Sequence, residues 1–458
     1  MTSPALERDD AMLNRLASSF PKHQPLIALA ILVVCILIGL FAVENTVKFY
    51  LYGIAGLCLG YVLVRGAFGF AGGIKRAYIV GEGSLSTALL TMFTVTTLFT
   101  LSWQWAQSAG VLPMDKNNEL IGAANIAPVS LAMMIGAFLF GMGAIMAGAC
   151  ASGCLSDAGE GYVRAMIALV TFIIFSVPGE MTRAAMDDHA LLGMNLTVHL
   201  PQWFGYAGAI IASLIGFFII YMMVWGYERK RKREGTVERV QTPPELMPIP
   251  GDNDGHTDRF FSYRLWHNLF CTRWTFMTSA MMLAFLWIFI LVTTHKAWGV
   301  TSTFTTWDVA LANLFGIHFD ADWASSANKA IEGGLLNHGG TVRNLALIIG
   351  AAYALLLAGR FRFDLKFNAR DAAIYALGGA LMGFGARMAD GCNIGALFSG
   401  LSVGSLSGWV FGVFLVAGAT VGLKLFEGRL NIIPPSRHID LKKSIEHNGI
   451  PAHMITDR

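Results

Sequence analysis

Two cysteines stand in matching surroundings far apart in the chain. Residues 141–155 read GMGAIMAGACASGCL and residues 383–397 read GFGARMADGCNIGAL, so Cys150 and Cys392 fall at an offset of 242. Eight of the fifteen positions are identical, including the Gly three residues after each Cys, Gly153 and Gly395. A neutral thiol is a weak hydrogen-bond donor and a soft, polarizable atom. It is a poor partner for hard oxyanions and a good one for the terminal atom of a sulfur- or selenium-bearing solute. Two thiols at mirrored positions can pass such a solute from one to the other. Asn393 adds a polar amide directly after the second thiol.

Other residues in these stretches carry charge or a further thiol. Arg387 and Asp390 are three apart and share a helical face, and ionisable groups at membrane depth are functional candidates. They either meet an anion or neutralise one another. Cys154 lies four residues after Cys150, on the same face of a helix, but its counterpart in the second copy is Ala396. Cys35 and Cys58 sit inside plain apolar runs and read as small packing residues. No Cys/His set has metal-ligand spacing and no Gly-rich stretch carries the Lys-Ser/Thr of a phosphate-binding loop, so neither a metal, a cofactor nor a nucleotide is expected.

The elements that hold these residues are read from composition. The chain of 458 residues is 55% hydrophobic and 14% charged. Soluble domains carry about 25% charged residues, which makes this an all-α polytopic membrane protein with no nucleic-acid partner. Ten spans are expected near 26–43, 49–64, 85–109, 127–149, 163–177, 203–225, 273–292, 342–357, 372–389 and 403–425. Several fall short of the roughly 20 residues of a full crossing, which predicts tilted, short or re-entrant helices. The first apolar run lacks a cleavage site and reads as a retained span.

Basic residues set the orientation. The run at 229–233, the group Arg360, Arg362, Lys366 and Arg370, and Arg429, Arg437, Lys442 and Lys443 should all face the cytoplasm. Arg8, Arg15 and Lys22 then place the N-terminus inside as well. This divides the chain into a cytoplasmic N-terminal segment 1–25, a first transmembrane half 26–225, a basic cytoplasmic linker 226–272, a second half 273–427 and a cytoplasmic tail 428–458. The run 229–233 is a topology determinant or a docking surface for an acidic partner. Residues 259–274 mix aromatics with bases and should lie along the membrane surface, with Cys271 a plain juxtamembrane thiol.

Orientation also relates the two copies. The span before Cys150 runs outside to inside and the span before Cys392 inside to outside, which is an inverted internal repeat. Transporters of this kind place the solute at the repeat interface, on interrupted helices. Irregular backbone survives at that depth only where protein buries it or water lines it. The glycines beside both thiols fit such a turn.

On these motifs the sequence resembles the YeeE/YedE family of bacterial membrane proteins. The stretches AGACASGCLSDAGEGYVRAM and GFGARMADGCNIGALFSGLSVGSLSGW are similar to the family's Gly-Cys-x-x-Gly motifs, over residues 50–180 and 295–425. The resemblance implies import of thiosulfate or related sulfur compounds, with some members linked to selenium, across a bacterial inner membrane. It also implies that Cys150 and Cys392 contact the solute in a narrow passage. Family members often carry a third Cys where this chain reads RGAFGFAGG, residues 65–73, with Gly69 at the matching place. Many relatives work beside a separate sulfur-carrier protein of the TusA type.

Three functions stay open at this point. The first is a transporter or channel-like permease for a small sulfur or selenium compound, with Cys150, Cys392, Gly153, Gly395, Asn393, Cys154, Arg387 and Asp390 as pathway candidates. The second is a membrane thiol–disulfide carrier using Cys150, Cys154 and Cys392. The third is a structural subunit whose cysteines only pack.

Overall fold

The structure, a computed structural model, describes residues 20–434 apart from 42, 44–45, 115–117, 190–194, 239–242, 250–262 and 366. Most of the N-terminal segment and of the tail, with Arg8, Arg15, Arg437, Lys442 and Lys443, lies outside the described residues, as does Lys366. In chain order the helices are α1 His23–Phe41, α2 Thr46–Gly66, α3 Gly72–Ile79, α4 Ser84–Ser108, α5 Leu131–Ala147, α6 Ala151–Gly159, α7 Val163–Ile174 and α8 Ser176–Asp187. They continue with α9 Leu200–Arg233, α10 Tyr263–Phe270, α11 Phe276–Thr294, α12 Thr301–Leu314, α13 Ser325–Glu332, α14 Gly339–Leu357, α15 Ala369–Met388 and α16 Leu406–Phe426. Between α15 and α16 the segment Asn393–Ser399 is a π-helix. Among the described residues only isolated bridges, and no strands, interrupt this all-α fold.

Among the described residues nine stretches are long and apolar enough to cross a membrane, and α15 with its bent continuation makes a tenth. That agrees with the ten expected spans, although three boundaries move. The span expected at 127–149 continues past Cys150 as α6 to Gly159. The span expected at 163–177 continues as α8 to Asp187, because the buried carboxylate of Glu180 finds two arginines there. The span expected at 203–225 has a kink at Gly205 (φ 68°, ψ 169°) and runs on beyond it as a helix to Arg233. The basic run is therefore the last turns of α9, where cations suit the helix C-terminus. Arg231 is wholly buried and donates to the carbonyls of Tyr78 and Ile79, fastening α9 to α3. It is a structural clamp, and its charge is turned away from any docking surface.

Helix α5 shows how the sequence sets an element. The Ser130 hydroxyl accepts from the N–H of Met133 at 3.1 Å and caps the start. An apolar run follows, and Gly148 at φ 81° ends the helix in the left-handed conformation. Its glycines then allow very close packing. A Cβ on Gly136 would stand 2.5 Å from the Gly385 carbonyl oxygen, and one on Gly143 2.6 Å from that of Gly378. Helices α5 and α15 thus cross backbone to backbone, antiparallel. Adding the repeat offset to 136 and 143 gives 378 and 385, so each contact is the image of the other under a twofold exchange. Overpacking such a crossing costs about 1–3 kcal/mol per added methyl group.

The halves interlock. Gly56 and Gly60 of α2 face the backbone of α14, and Gly141 and Gly418 join α5 to α16. The inverted relation of the two Cys copies is therefore present in the packing itself.

Candidate functional site

Each thiol closes a break after one of the crossing helices. In the first copy Cys150 has extended backbone (φ −82°, ψ −176°) and is the N-cap of α6. Its sulfur lies 3.6 Å from the Ser152 hydroxyl, and Gly153 stands beside it in the first turn. Cys154 follows on that turn, with its S–H directed 3.8 Å to the Ala149 carbonyl. Both thiols are buried and free. Arg164 donates to the last carbonyl of α5, Ala147, at 3.3 Å and to Asp157 at 2.7 Å. The ion pair thereby pins the break.

The second copy starts alike and then departs. Asp390 takes φ 54° after α15, and Cys392 (φ −118°, ψ −166°) is again an extended N-cap. Both Ala396 and Leu397 N–H groups reach the Cys392 carbonyl, at 2.9 and 3.2 Å, which widens the turn into a π-helix. Such turns concentrate at functional sites. The break bends the span by 43°. The N–H groups of Ile394 and Gly395 belong to the first turn after the Cys392 thiol.

Two observations mark open chemistry here. Asn393 is 0% exposed, yet neither its amide nitrogen nor its oxygen has a partner. A buried polar group left unsatisfied costs about 1–3 kcal/mol. No atom lies within 4 Å of where a Cβ on Gly395 would stand. The second turn thus combines a thiol, an unpaired carboxamide and free space.

Arg387 and Asp390 separate in role. Arg387 is buried and donates to Glu180 at 2.7 Å, while Asp390 is half exposed and 3.5 Å from the guanidinium. Glu180 also accepts from Arg183, which pairs with Asp187 at 3.4 Å. Arg387 is thus held chiefly by Glu180. No sequence pattern points to that partner, which lies 207 residues away, just past the end of the span expected at 163–177. By the repeat offset, Arg387 corresponds to Ile145 and Glu180 to Gly422. At the place related by the repeat, again between the two halves, those two residues also meet, with a Gly422 Cβ 3.2 Å from that of Ile145.

An aromatic cage, also unforeseen, holds the π-helix. Phe398 packs on Phe93 at 5.2 Å, Trp287 at 5.3 Å and Phe70 at 5.9 Å between ring centres. Ser399 accepts from the Trp287 indole N–H and donates to the Trp298 carbonyl. Phe70 brings the stretch 65–73 against this turn. A side chain at Gly69 would meet only the Gly72 nitrogen, at 3.8 Å, so the place of the family's third Cys is open.

The remaining cysteines stand apart. Cys35 is half-buried on α1 and Cys58 is exposed on α2, so Cys58 does not pack inside the protein as the apolar run suggests. Cys271 is buried after α10, its S–H 3.7 Å from the Ala358 carbonyl, and burial pushes its thiol up to about 11. Helix α10 docks through Trp266, which donates to the Leu357 carbonyl, while residues 259–262 lie outside the described residues. No group of three His, Cys, Asp or Glu side chains able to hold a metal ion occurs among the described residues.

An interlocked, antiparallel helix repeat with buried polar breaks defines a multi-pass membrane transporter. Residues 65–421 match the sulphur transport family, and the chain belongs to it. It is 25% identical over 378 residues to the thiosulfate transporter TsuA of Escherichia coli, covering 80% of this chain and 91% of that protein. TsuA of Spirochaeta thermophila is 24% identical over 384 residues, 80% of this chain and 95% of its own length. The probable transporter YedE of Escherichia coli is 31% identical over 131 residues, 29% of this chain and 32% of that protein.

Proposed function

We propose that the chain imports thiosulfate or a related small sulfur or selenium compound through a passage lined by Cys150 and Cys392. The buried, unpaired carboxamide of Asn393 beside a free thiol carries this reading. The amide N–H group and the backbone N–H groups of Ile394 and Gly395 suit the oxygen end of such a solute. The thiols suit its soft sulfur end. No bond forms or breaks: the solute exchanges weak S–H contacts as it moves, and Gly153 and Gly395 leave it room. Cys154 lines the same turn. Arg387 and Asp390 shape the mouth beside the second turn, with Arg387 neutralised by Glu180 rather than free for the solute.

Several further parts of this reading follow from charge and kinship. The chain sits in a bacterial inner membrane with both termini and the linker 226–272 in the cytoplasm, and its transmembrane halves are 26–225 and 273–427. A separate TusA-type carrier is the candidate recipient on the cytoplasmic side. A gradient or consumption of the solute drives uptake. Reporter fusions at Arg233 and Asn328 should report opposite sides of the membrane, and the same side for both would remove the orientation.

The test of function is uptake of labelled thiosulfate by cells that carry the chain, against cells that lack it. Uptake suppressed by excess thiosulfate or a selenium analogue, and not by sulfate, is expected. Equal accumulation in both cell lines would defeat the proposal. The redox-carrier alternative needs a disulfide among Cys150, Cys154 and Cys392 that forms and breaks with turnover, which thiol trapping would detect.

A further inference from the structure

A groove of about 690 Å³ lies away from the cysteine turns, where spans α4 and α11 begin and α9 ends. Its depth relative to the membrane follows from those three helix ends: it sits at the boundary between lipid and water. Its polarity changes along its length. On α9 the lining residues Tyr221, Val224, Trp225 and Glu228 recur at helical spacing and pass from apolar to ionic within two turns. At the start of α11 the order is the same, from Met277 and Phe276 back to Arg273 just before the helix. Tyr221, Trp225 and Met277 are 38%, 44% and 42% exposed, and open the apolar end toward lipid.

The ionic end holds two cations and two carboxylates in a particular arrangement. Arg76 and Arg273 lie over the Phe276 ring, at 5.1 and 5.4 Å from its centre. Arg76 is paired with Glu82 at 2.9 Å. Arg273 has no side-chain hydrogen bond or ion pair among the described residues. Glu228 accepts from the Gly83 N–H at 3.1 Å and pairs with the exposed Lys232. An exposed pair of that kind is worth about 0–1 kcal/mol, so this carboxylate is available to another cation. The amino-terminal ends of α4 and α11 add partial positive charge at the same level.

The geometry points to a phospholipid site selective for a primary-ammonium headgroup, of the phosphatidylethanolamine type, with its phosphate on Arg273, its ammonium between Glu228 and Glu82, and an acyl chain along Tyr221 and Met277. Phosphatidylglycerol carries the phosphate but brings no cation to set between the two carboxylates. A trimethylated headgroup could not donate hydrogen bonds to them. Basic pockets between membrane helices are known lipid sites; here the paired carboxylates are what select the headgroup. This inference is independent of the solute and of the cysteine passage.

The experiment uses the full-length purified protein, with lipid retention read by native mass spectrometry and melting temperature measured in parallel. Dioleoyl phosphatidylethanolamine, its mono- and dimethyl forms, phosphatidylcholine and phosphatidylglycerol are titrated in turn. Retention should fall stepwise with N-methylation and be at least tenfold weaker for phosphatidylcholine and phosphatidylglycerol. The pair R273Q and E228Q should abolish the preference. Equal retention of phosphatidylcholine or phosphatidylglycerol by the unchanged protein would overturn the proposal. An unaltered preference in the folded double variant would do the same. Because the headgroup series uses the unchanged protein, it decides the matter even where a variant misfolds.

Discussion

The two cysteine turns begin from nearly the same sequence and end in different structures. After Cys150 the chain resumes a regular α-helix, and Arg164 closes the preceding carbonyl. After Cys392 it widens into a π-helix, bends by 43° and leaves Asn393 without partners. The residues that differ explain much of this. Asn393 replaces Ala151, and Phe398 replaces Ser156 at a site ringed by aromatic side chains. A large ring seated in that cage fixes where the turn must go. The charged partners differ too: Arg387 and Glu180 stand where Ile145 and Gly422 stand at the place related by the repeat. The lesson is that a repeat conserves the crossing and the thiol, while the neighbours decide the local backbone.

The thiols are expected to give the largest effect. C392A and C150A should each lower labelled thiosulfate uptake at least tenfold with normal membrane insertion, whereas C35A should match the parent. Full uptake in both motif variants would make the cysteines packing residues. The contrast between the halves is sharpened next by the buried ion pair. E180A leaves Arg387 buried without its main partner, and should cost about 3–5 kcal/mol. The double change E180G with R387I copies the repeat-related contact of Ile145 with Gly422 and should recover most of that loss, measured by thermal unfolding in detergent. No recovery would show that the halves are not interchangeable there.

Asn393 offers a smaller, two-sided test. N393A copies Ala151, removes an unsatisfied group and should raise stability by about 1 kcal/mol, while uptake falls severalfold. If uptake is unchanged, the carboxamide does not meet the solute. The smallest effect is expected at Cys154, which the second copy lacks. C154S should keep at least half of the uptake, and thiol trapping during turnover should find no Cys150–Cys154 disulfide. A disulfide that appears and disappears with transport would favour the redox carrier.

The repeat, the two thiols and the number of spans were legible in the sequence, because apolar length and identical spacing are local signals. The partners of the site were not. Glu180 reads as the start of a polar loop, since a carboxylate within a span makes sense only once Arg387 and Arg183 are seen beside it. Arg231 reads as one base in a cytoplasmic run, and its burial depends on the carbonyls of Tyr78 and Ile79. The π-helix has no sequence sign of its own. It arises from an aromatic cage assembled from four helices and loops, and from hydrogen bonds that a linear pattern does not encode.

The backbone crossing of α5 and α15 bears on where such a chain comes from. Contacts that a twofold axis exchanges ask nothing of two sequences that they would not ask of one. A half-length ancestor inserting both ways round could have built the same crossing as a homodimer, with two identical turns. Joining the halves removed that identity constraint, and each turn became free to drift. An arginine-capped α-helix on one side and a caged π-helix on the other are what a fused pair can hold and a symmetric dimer cannot.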